Sequence, residues 1–372
     1  MRIALDLLYV APGLAGGRVY AEGLLRGLAQ VDGRHEYRLF ARQGVTWPEL
    51  PSGRFVSVPT PVGPRSVLGR TWWEYGRLPR VVRREGCHLF HGLGTLAPVV
   101  GGCRLVLTIH DLIFYHFPAS VPWADRCFRR VVLPRVASRA DRIIVPSEAT
   151  KRDVVEILRI PPERIRRICY GPGQGFEPLT DPTLLQATWR KRGVRPPYVV
   201  SVSRTYAHKN VAGLLRAFAR VMVRRPDLQL VLVGEPYRVG ESLAGLVASL
   251  KLEGQVVFTG YVGLGELRAL YSGATLFAFP SLMEGFGLPM LEAMACGTPV
   301  VASAAPGVAE AVAEAGVVAD ARDPEAFAAA IVRVADDPQL QAELREKGLR
   351  RAATFSWERC ARETLAVYDE LA

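Results

Sequence analysis

Short apolar runs separated by longer segments with a helical period recur along the chain, and they come in two series. The first series is Arg2–Val10, Tyr37–Ala41, Phe55–Pro59, His88–Phe90, Leu105–Ile109 and Arg142–Pro146. The second is Tyr198–Ser203, Leu228–Gly234, Val256–Gly260, Ala274–Pro280, Pro299–Ala302 and Gly316–Ala319. Runs this short, bounded by Gly, Pro or charge, read as buried strands. Between them Arg18–Gln30, Val211–Arg224 and Leu264–Ser272 read as helices, and the chain closes with helical Asp323–Asp336, Pro338–Thr354 and Ser356–Leu371. Strands alternating with helices predict parallel, doubly wound sheets. Residues 171–182 (GPGQGFEPLTDP) interrupt both periods and read as a linker. The fold class is therefore α/β with two Rossmann-like domains. The first covers 1–172, rejoined by a last helix over 356–372; the linker segment is 173–190, and the second domain covers 191–355.

The 372 residues exceed what one core usually supports, so two domains also suit the length. In open α/β sheets ligands bind beyond the carboxyl ends of the strands, and with two such domains the crevice between them is the expected active site. Six scattered cysteines with no Cys-x-x-Cys argue for neither a disulfide framework nor a zinc site. The chain enters its first strand directly from Met1-Arg2, without a signal-peptide pattern, and no run approaches the ~18 apolar residues of a membrane span. These features predict a cytoplasmic protein.

The net charge of +11 is unevenly placed. Residues 1–175 hold 26 Lys and Arg against 14 Asp and Glu, whereas residues 176–372 hold 21 against 22. The surplus lies in the first half, which implies an acidic surface as its partner: phospholipid head groups, an anionic acceptor or nucleic acid. It is densest in Arg65–Arg84 and Arg126–Arg142. In Arg65–Arg84, Trp72, Trp73 and Tyr75 are interleaved with six arginines, a pattern suited either to a peripheral membrane face or to a helix with core-facing aromatics and a solvated basic side.

The densest chemistry is in Ser281–Val301, SLMEGFGLPMLEAMACGTPVV. The strand before it delivers Glu284 into a loop. Gly285 and Gly287 let that loop turn, and Pro289 suits the first turn of a helix ending at Gly297. A helix start of this kind attracts phosphate. Glu292 lies eight residues after Glu284, one turn into the helix. A carboxylate accepts both hydrogens of a vicinal diol, so the pair points to sugar or ribose chemistry. Singly, Glu284 reads equally as a cap and Glu292 as a solvated helix residue. Arg204 and Lys209, in SVSRTYAHKN after another strand, are spaced to reach one pyrophosphate, though lone surface cations read the same way. Gly16-Gly17 follows the first strand in a Gly-rich turn over Pro12–Gly17. His110-Asp111 ends a later strand, either as a hydrogen-bonded structural pair or as groups reaching a ligand, and His91, in FHGLGT at a neighbouring strand end, is a weaker acceptor-side candidate.

EGFGLPMLE with AMACGTPVVAS resembles the Glu-x7-Glu signature of retaining GT-B glycosyltransferases of the family 4 type, and VPSEATKRDVV (Val145–Val155) and SRTYAHK extend the resemblance. It implies a GT-B fold and a hexose transferred with retention, from a GDP- or UDP-sugar held by the second domain to a glycan or lipid-linked acceptor held by the first. Cell-surface polysaccharide synthesis is a fitting setting. On this resemblance Glu292 binds the donor ribose, Arg204 and Lys209 its diphosphate, and Glu284 with the amides of Phe286, Gly287 and Leu288 the sugar and phosphate. Gly16 and Gly17 face the donor phosphate, and His110 and Asp111 face the donor sugar or acceptor. No obligatory metal and no nucleophilic side chain are implied. His208 departs from the family, where arginine is frequent, and Ala304-Ala305-Pro306-Gly307 is a small-residue version of its late loop. A nucleotide-sugar epimerase of the same fold is the nearest alternative. A basic nucleic-acid-binding protein is another, although helix-turn-helix, zinc and RNP signatures are all missing.

Overall fold

The computed structural model describes residues 1–11, 15–203, 206–234 and 243–372, apart from the side chains of Ala15 and Val67. The chain divides into two compact units, Met1–Gly171 with Phe355–Ala372, and Pro172–Thr354.

The first unit is built on seven parallel strands: β1 (Arg2–Asp6), β2 (Glu36–Phe40), β3 (Phe55–Val58), β4 (Leu89–Gly92), β5 (Arg104–Thr108), β6 (Arg142–Val145) and β7 (Ile165–Arg167). Their order is β3-β2-β1-β4-β5-β6-β7, so the winding reverses between β1 and β4. Buried side chains of β1, β4, β5 and β6 pack with Leu133, Val136 and Ala137 of the helix Trp123–Arg139 to form the core. The three-residue β7 escapes a hydrophobic pattern because two of its residues, Arg166 and Arg167, are charged.

The helix Trp357–Asp369 belongs to this unit. Its Trp357 stands against Gly23 and Gly27 of the helix Ala15–Val31, while Tyr368 is fully buried and hydrogen-bonded to His91. Gly16 and Gly17 lie in the first turn of Ala15–Val31 rather than in the turn expected before Arg18, and Pro12, Gly13 and Leu14 of that turn lie outside the described residues.

The second unit has six parallel strands: β8 (Tyr198–Val202), β9 (Gln229–Val233), β10 (Val256–Gly260), β11 (Leu276–Phe279), β12 (Val300–Ser303) and β13 (Gly316–Ala319). Their order is β10-β9-β8-β11-β12-β13, which reverses between β8 and β11. The helices Val211–Arg224 and Pro324–Asp336 cover the sheet through Leu214, Leu215, Phe218, Phe327 and Ile331, all buried.

Residues 173–190, set apart as a linker in the sequence, belong to this unit, and Pro182–Arg192 is a helix. Its signals were present: Asp181 accepts from the Thr183 amide, Pro182 opens the first turn, and left-handed Gly193 ends the last. The surrounding Gly and Pro hid them. Among the described residues no helix is long and apolar enough to cross a membrane.

Candidate active site

In the second unit the reversal between β8 and β11 puts the loops that follow these strands side by side, at the position where doubly wound sheets bind ligands. Among the described residues after β8, Ala207–Lys209 form a tight turn that closes on Asn210 in the left-handed conformation. The Asn210 side-chain amide donates to the Ala321 carbonyl at 2.7 Å, and the His208 ring stacks on Tyr206. Lys209 is thereby held facing the loop after β11, where its ammonium meets Glu284 Oε1 at 2.6 Å. The pair is largely out of water, with side chains 18% and 9% exposed. The Lys209 ammonium also lies 5.9 Å from the centre of the Phe279 ring.

The two loops are braced by backbone as well. The Leu282 amide donates to the His208 carbonyl at 2.7 Å, and the Ser303 hydroxyl at the end of β12 donates to the Ser281 carbonyl. A site fixed in this way needs little reorganisation when a charged ligand arrives.

Gly287, at φ +93°, makes the corner before the helix Leu288–Ala295, a conformation open mainly to glycine. Phe286 packs inward at 7% exposure. The Met290 amide donates back to the Gly287 carbonyl at 3.0 Å, and the dipole at a helix start of this kind favours an anion.

Glu292 sits on the second turn of the helix, almost wholly buried, and accepts a long 3.4 Å hydrogen bond from the Tyr271 hydroxyl. Burial pushes its carboxyl up to about 7. The Gly-rich stretch passes directly over it, since a Cβ added to Gly173 would fall 2.9 Å from Glu292 Oε1. A side chain at 173 would crowd that carboxylate oxygen and the Phe176 ring. Arg204, expected beside Lys209, lies outside the described residues.

In the first unit His110 follows β5. Its Nδ1 is 2.8 Å from the Tyr170 hydroxyl and its Nε2 is 2.8 Å from the Leu93 carbonyl. A carbonyl can only accept, so Nε2 carries the proton and Nδ1 accepts from Tyr170. Burial holds the ring neutral, down to about 4. Both nitrogens are therefore engaged, and a ligand would meet the edge of the ring rather than a free base. Asp111 accepts from the Ile113 amide at 3.0 Å and shapes the turn after β5. Gly16 is exposed, and a Cβ added there would meet nothing within 4 Å, while the Gly17 carbonyl accepts from the Tyr9 hydroxyl.

His91 is not placed for an acceptor. It lies inside β4 with no exposed surface, bonded through Nδ1 to Tyr368 and through Nε2 to Thr108, and burial holds it down to about 3.

This burial has a consequence for stability. The unfolded chain protonates His91 near 6.5 and the folded chain does not, so stability is full above that pH and falls as pH drops toward 3. In urea titrations the stability gap between wild type and His91→Gln should narrow by about 2–3 kcal/mol between pH 6.5 and 4.5. A constant gap would mean that His91 is not buried as a neutral ring.

Three supporting residues gave no signal in the sequence. Tyr271, Phe279 and Tyr170 are aromatics within ordinary apolar runs, and only the fold brings them to Glu292, Lys209 and His110. Among the described residues no cluster of three His, Cys, Asp or Glu could hold a metal ion.

The second of the two doubly wound parallel units thus carries a Lys–Glu pair and a buried carboxylate at its switch point, where folds of this kind bind ligands. Comparison with known proteins narrows the class. The family model described as glycosyl transferases group 1 matches residues 188–351, and that described as glycosyltransferase family 4 matches residues 14–171. The O-antigen chain mannosyltransferase B of Escherichia coli is 30% identical over 269 residues, spanning 72% of this chain and 71% of that protein. Sucrose-phosphate synthase from Thermosynechococcus elongatus superposes with a TM-score of 0.81 at 25% identity, covering 100% of this chain and 99% of that one. The Anabaena HepE protein, solved in complex with UDP-glucose, shares the fold with a TM-score of 0.75 at 21% identity, covering all of both chains. The chain belongs to the group 1 glycosyltransferases of GT-B fold, and it is a glycosyltransferase.

Proposed function

We propose that this glycosyltransferase moves a hexose, mannose or glucose-like, from a nucleotide-diphosphate sugar to a glycan or lipid-linked acceptor, with retention of configuration and without an obligatory metal. The observation that carries the reading is the Lys209–Glu284 pair at the β8/β11 switch point, followed on the next helix by the buried Glu292. Lys209, with Arg204, neutralises the diphosphate as it leaves, a charge that develops in the transition state and is therefore worth stabilising there. Glu284 holds Lys209 in place and offers its second oxygen to a hydroxyl of the sugar. The amides at Phe286, Gly287 and Leu288 take the phosphate, and Glu292 accepts the ribose diol.

From the first unit, the family resemblance assigns Gly16 and Gly17 to the donor phosphate and His110 with Asp111 to the donor sugar or acceptor. Glu284 and Glu292 belong to one loop-helix segment and do not flank a glycosidic bond, unlike the paired carboxylates of hydrolases. Attack on the same face, with the leaving phosphate taking the acceptor proton, needs no nucleophilic side chain. The mannosyltransferase relative and the UDP-glucose bound to HepE support a hexose on a nucleoside diphosphate. The basic first unit favours an anionic or lipid-linked acceptor, as in cell-surface polysaccharide synthesis.

Titration calorimetry with GDP, UDP and ADP tests the donor assignment. One diphosphate should bind in the micromolar range and weaken in Arg204→Ala. Binding of none of the three would overturn it.

A further inference from the structure

Two touching helices of the first unit turn large apolar side chains into solvent. On Val67–Gly76, Leu68 is 85% exposed and Trp72 64%; on Trp123–Arg139, Trp123 is 72% exposed and Val131 54%. Leu68 and Trp72 are one turn apart, and Trp123, Cys127 and Val131 follow at the same spacing, so each helix carries a single outward stripe. The helices meet through Tyr75, edge-on to Phe128 with ring centres 5.7 Å apart.

These are not core faces that have slipped. Trp73, Leu133, Val136 and Ala137 already fill the inward sides. Glu74, 2% exposed, is fixed beside Asp6 at the end of β1, and Arg42 ties the Leu8 carbonyl to those of Pro64 and Ser66 ahead of the first helix. Of the three aromatics that stood out in the sequence, Trp73 is core, Tyr75 packs between the helices, and only Trp72 faces out.

The charge around the stripes has one sign. Residues 65–84 and 123–139 hold eleven arginines against Glu74 and Asp125. Glu74 is buried, and Asp125 is already paired with Arg129 at 2.8 Å. Arg77 lies over the Trp72 ring at 5.5 Å and Arg130 over Tyr115 at 5.2 Å.

We propose that this face docks on the surface of an anionic lipid bilayer, with Trp72 and Trp123 at head-group depth, Leu68 and Val131 reaching toward the acyl chains, and the arginines on lipid phosphates. The exposed aliphatic side chains decide the occupant. A soluble polyanion would satisfy the arginines and leave Leu68 and Val131 in water, whereas a bilayer takes both. The inference rests on the lipid-linked acceptor reading for its role in transfer. Vesicle binding and nucleotide binding are measured separately, so either reading can fail alone.

The full chain is sedimented with vesicles of phosphatidylcholine and of phosphatidylcholine mixed with phosphatidylglycerol. Binding is expected to the anionic mixture only, with a blue-shifted tryptophan emission. It should weaken about tenfold or more in Trp72→Ser/Trp123→Ser, whose melting temperature should match wild type because both side chains lie in solvent. Arg77→Glu/Arg130→Glu should lose the preference for anionic lipid. Equal binding to both vesicle types would overturn the proposal. So would undiminished binding of the tryptophan variant, which would reduce the contact to adsorption of arginines, or tighter binding to a single-stranded RNA oligonucleotide than to anionic vesicles.

Discussion

Replacing Lys209 with alanine is expected to slow sugar transfer by about 10²- to 10³-fold, the usual cost of removing one preorganised charge-stabilising group. Two effects are superposed in that variant. The leaving diphosphate loses a cation, and Glu284, 9% exposed, loses its ion-pair partner at 2.6 Å. The second effect alone destabilises the loop, because a buried carboxylate left unpaired costs about 3–5 kcal/mol. The double variant Lys209→Met/Glu284→Gln separates them, since it removes both charges, keeps similar volumes and leaves no orphaned ion. It should melt within a few degrees of wild type and still transfer sugar no faster than Lys209→Ala. Release of nucleoside diphosphate from the donor measures the rate. If the double variant regains activity along with stability, Lys209 is a structural partner of Glu284 and another cation handles the phosphate.

Much of this arrangement was legible in the chain, and the parts that were not have physical reasons. Buried parallel strands are nearly continuous apolar runs, so both sheets could be read apart from β7, whose arginines break the pattern. Glu284, Gly287 and Glu292 stood out because loop, turn and helix start fall in one short segment, and the structure puts them there. The link from Lys209 to Glu284 was not legible. It joins residues 75 positions apart and depends on β8 and β11 being neighbours, a fact of topology rather than of local pattern. The histidines could be placed at strand ends, but the burial of His91 was not legible. Both rings have both nitrogens hydrogen-bonded, and it is exposure, none for His91 and partial for His110, that makes the first a core residue. Likewise, period alone could not say which of Trp72 and Trp73 faces inward.

Glu292→Gln should make the protein more stable at alkaline pH and worse at its task. A carboxyl raised from 4.5 to about 7 by burial holds its proton more tightly folded than unfolded. Its favourable contribution is therefore present below 4.5 and is lost as pH rises through 7, where the folded chain must carry a buried charge that the unfolded chain carries at no cost. Glutamine has the same shape, can still accept from Tyr271 and never ionises. At pH 8 the variant should gain up to about 3 kcal/mol, which for a unit of this size raises melting by roughly 6–12 °C, and at pH 4.5 the gain should nearly vanish. Nucleotide binding should move the other way. In the role proposed for it, the carboxylate accepts two ribose hydroxyls, and exchanging charged for neutral acceptors should weaken the diphosphate about 10- to 100-fold at pH 8. Wild-type affinity should itself fall more steeply than that of the variant as pH drops through 7, because the terminal phosphate titrates in both and the carboxylate only in the first. Melting curves at the two pH values and calorimetry at pH 8 test both halves. A variant that binds as tightly as wild type at pH 8 would remove Glu292 from the ribose site, and one that melts lower at pH 8 would show that the buried carboxylate has a cationic partner that Gln cannot replace.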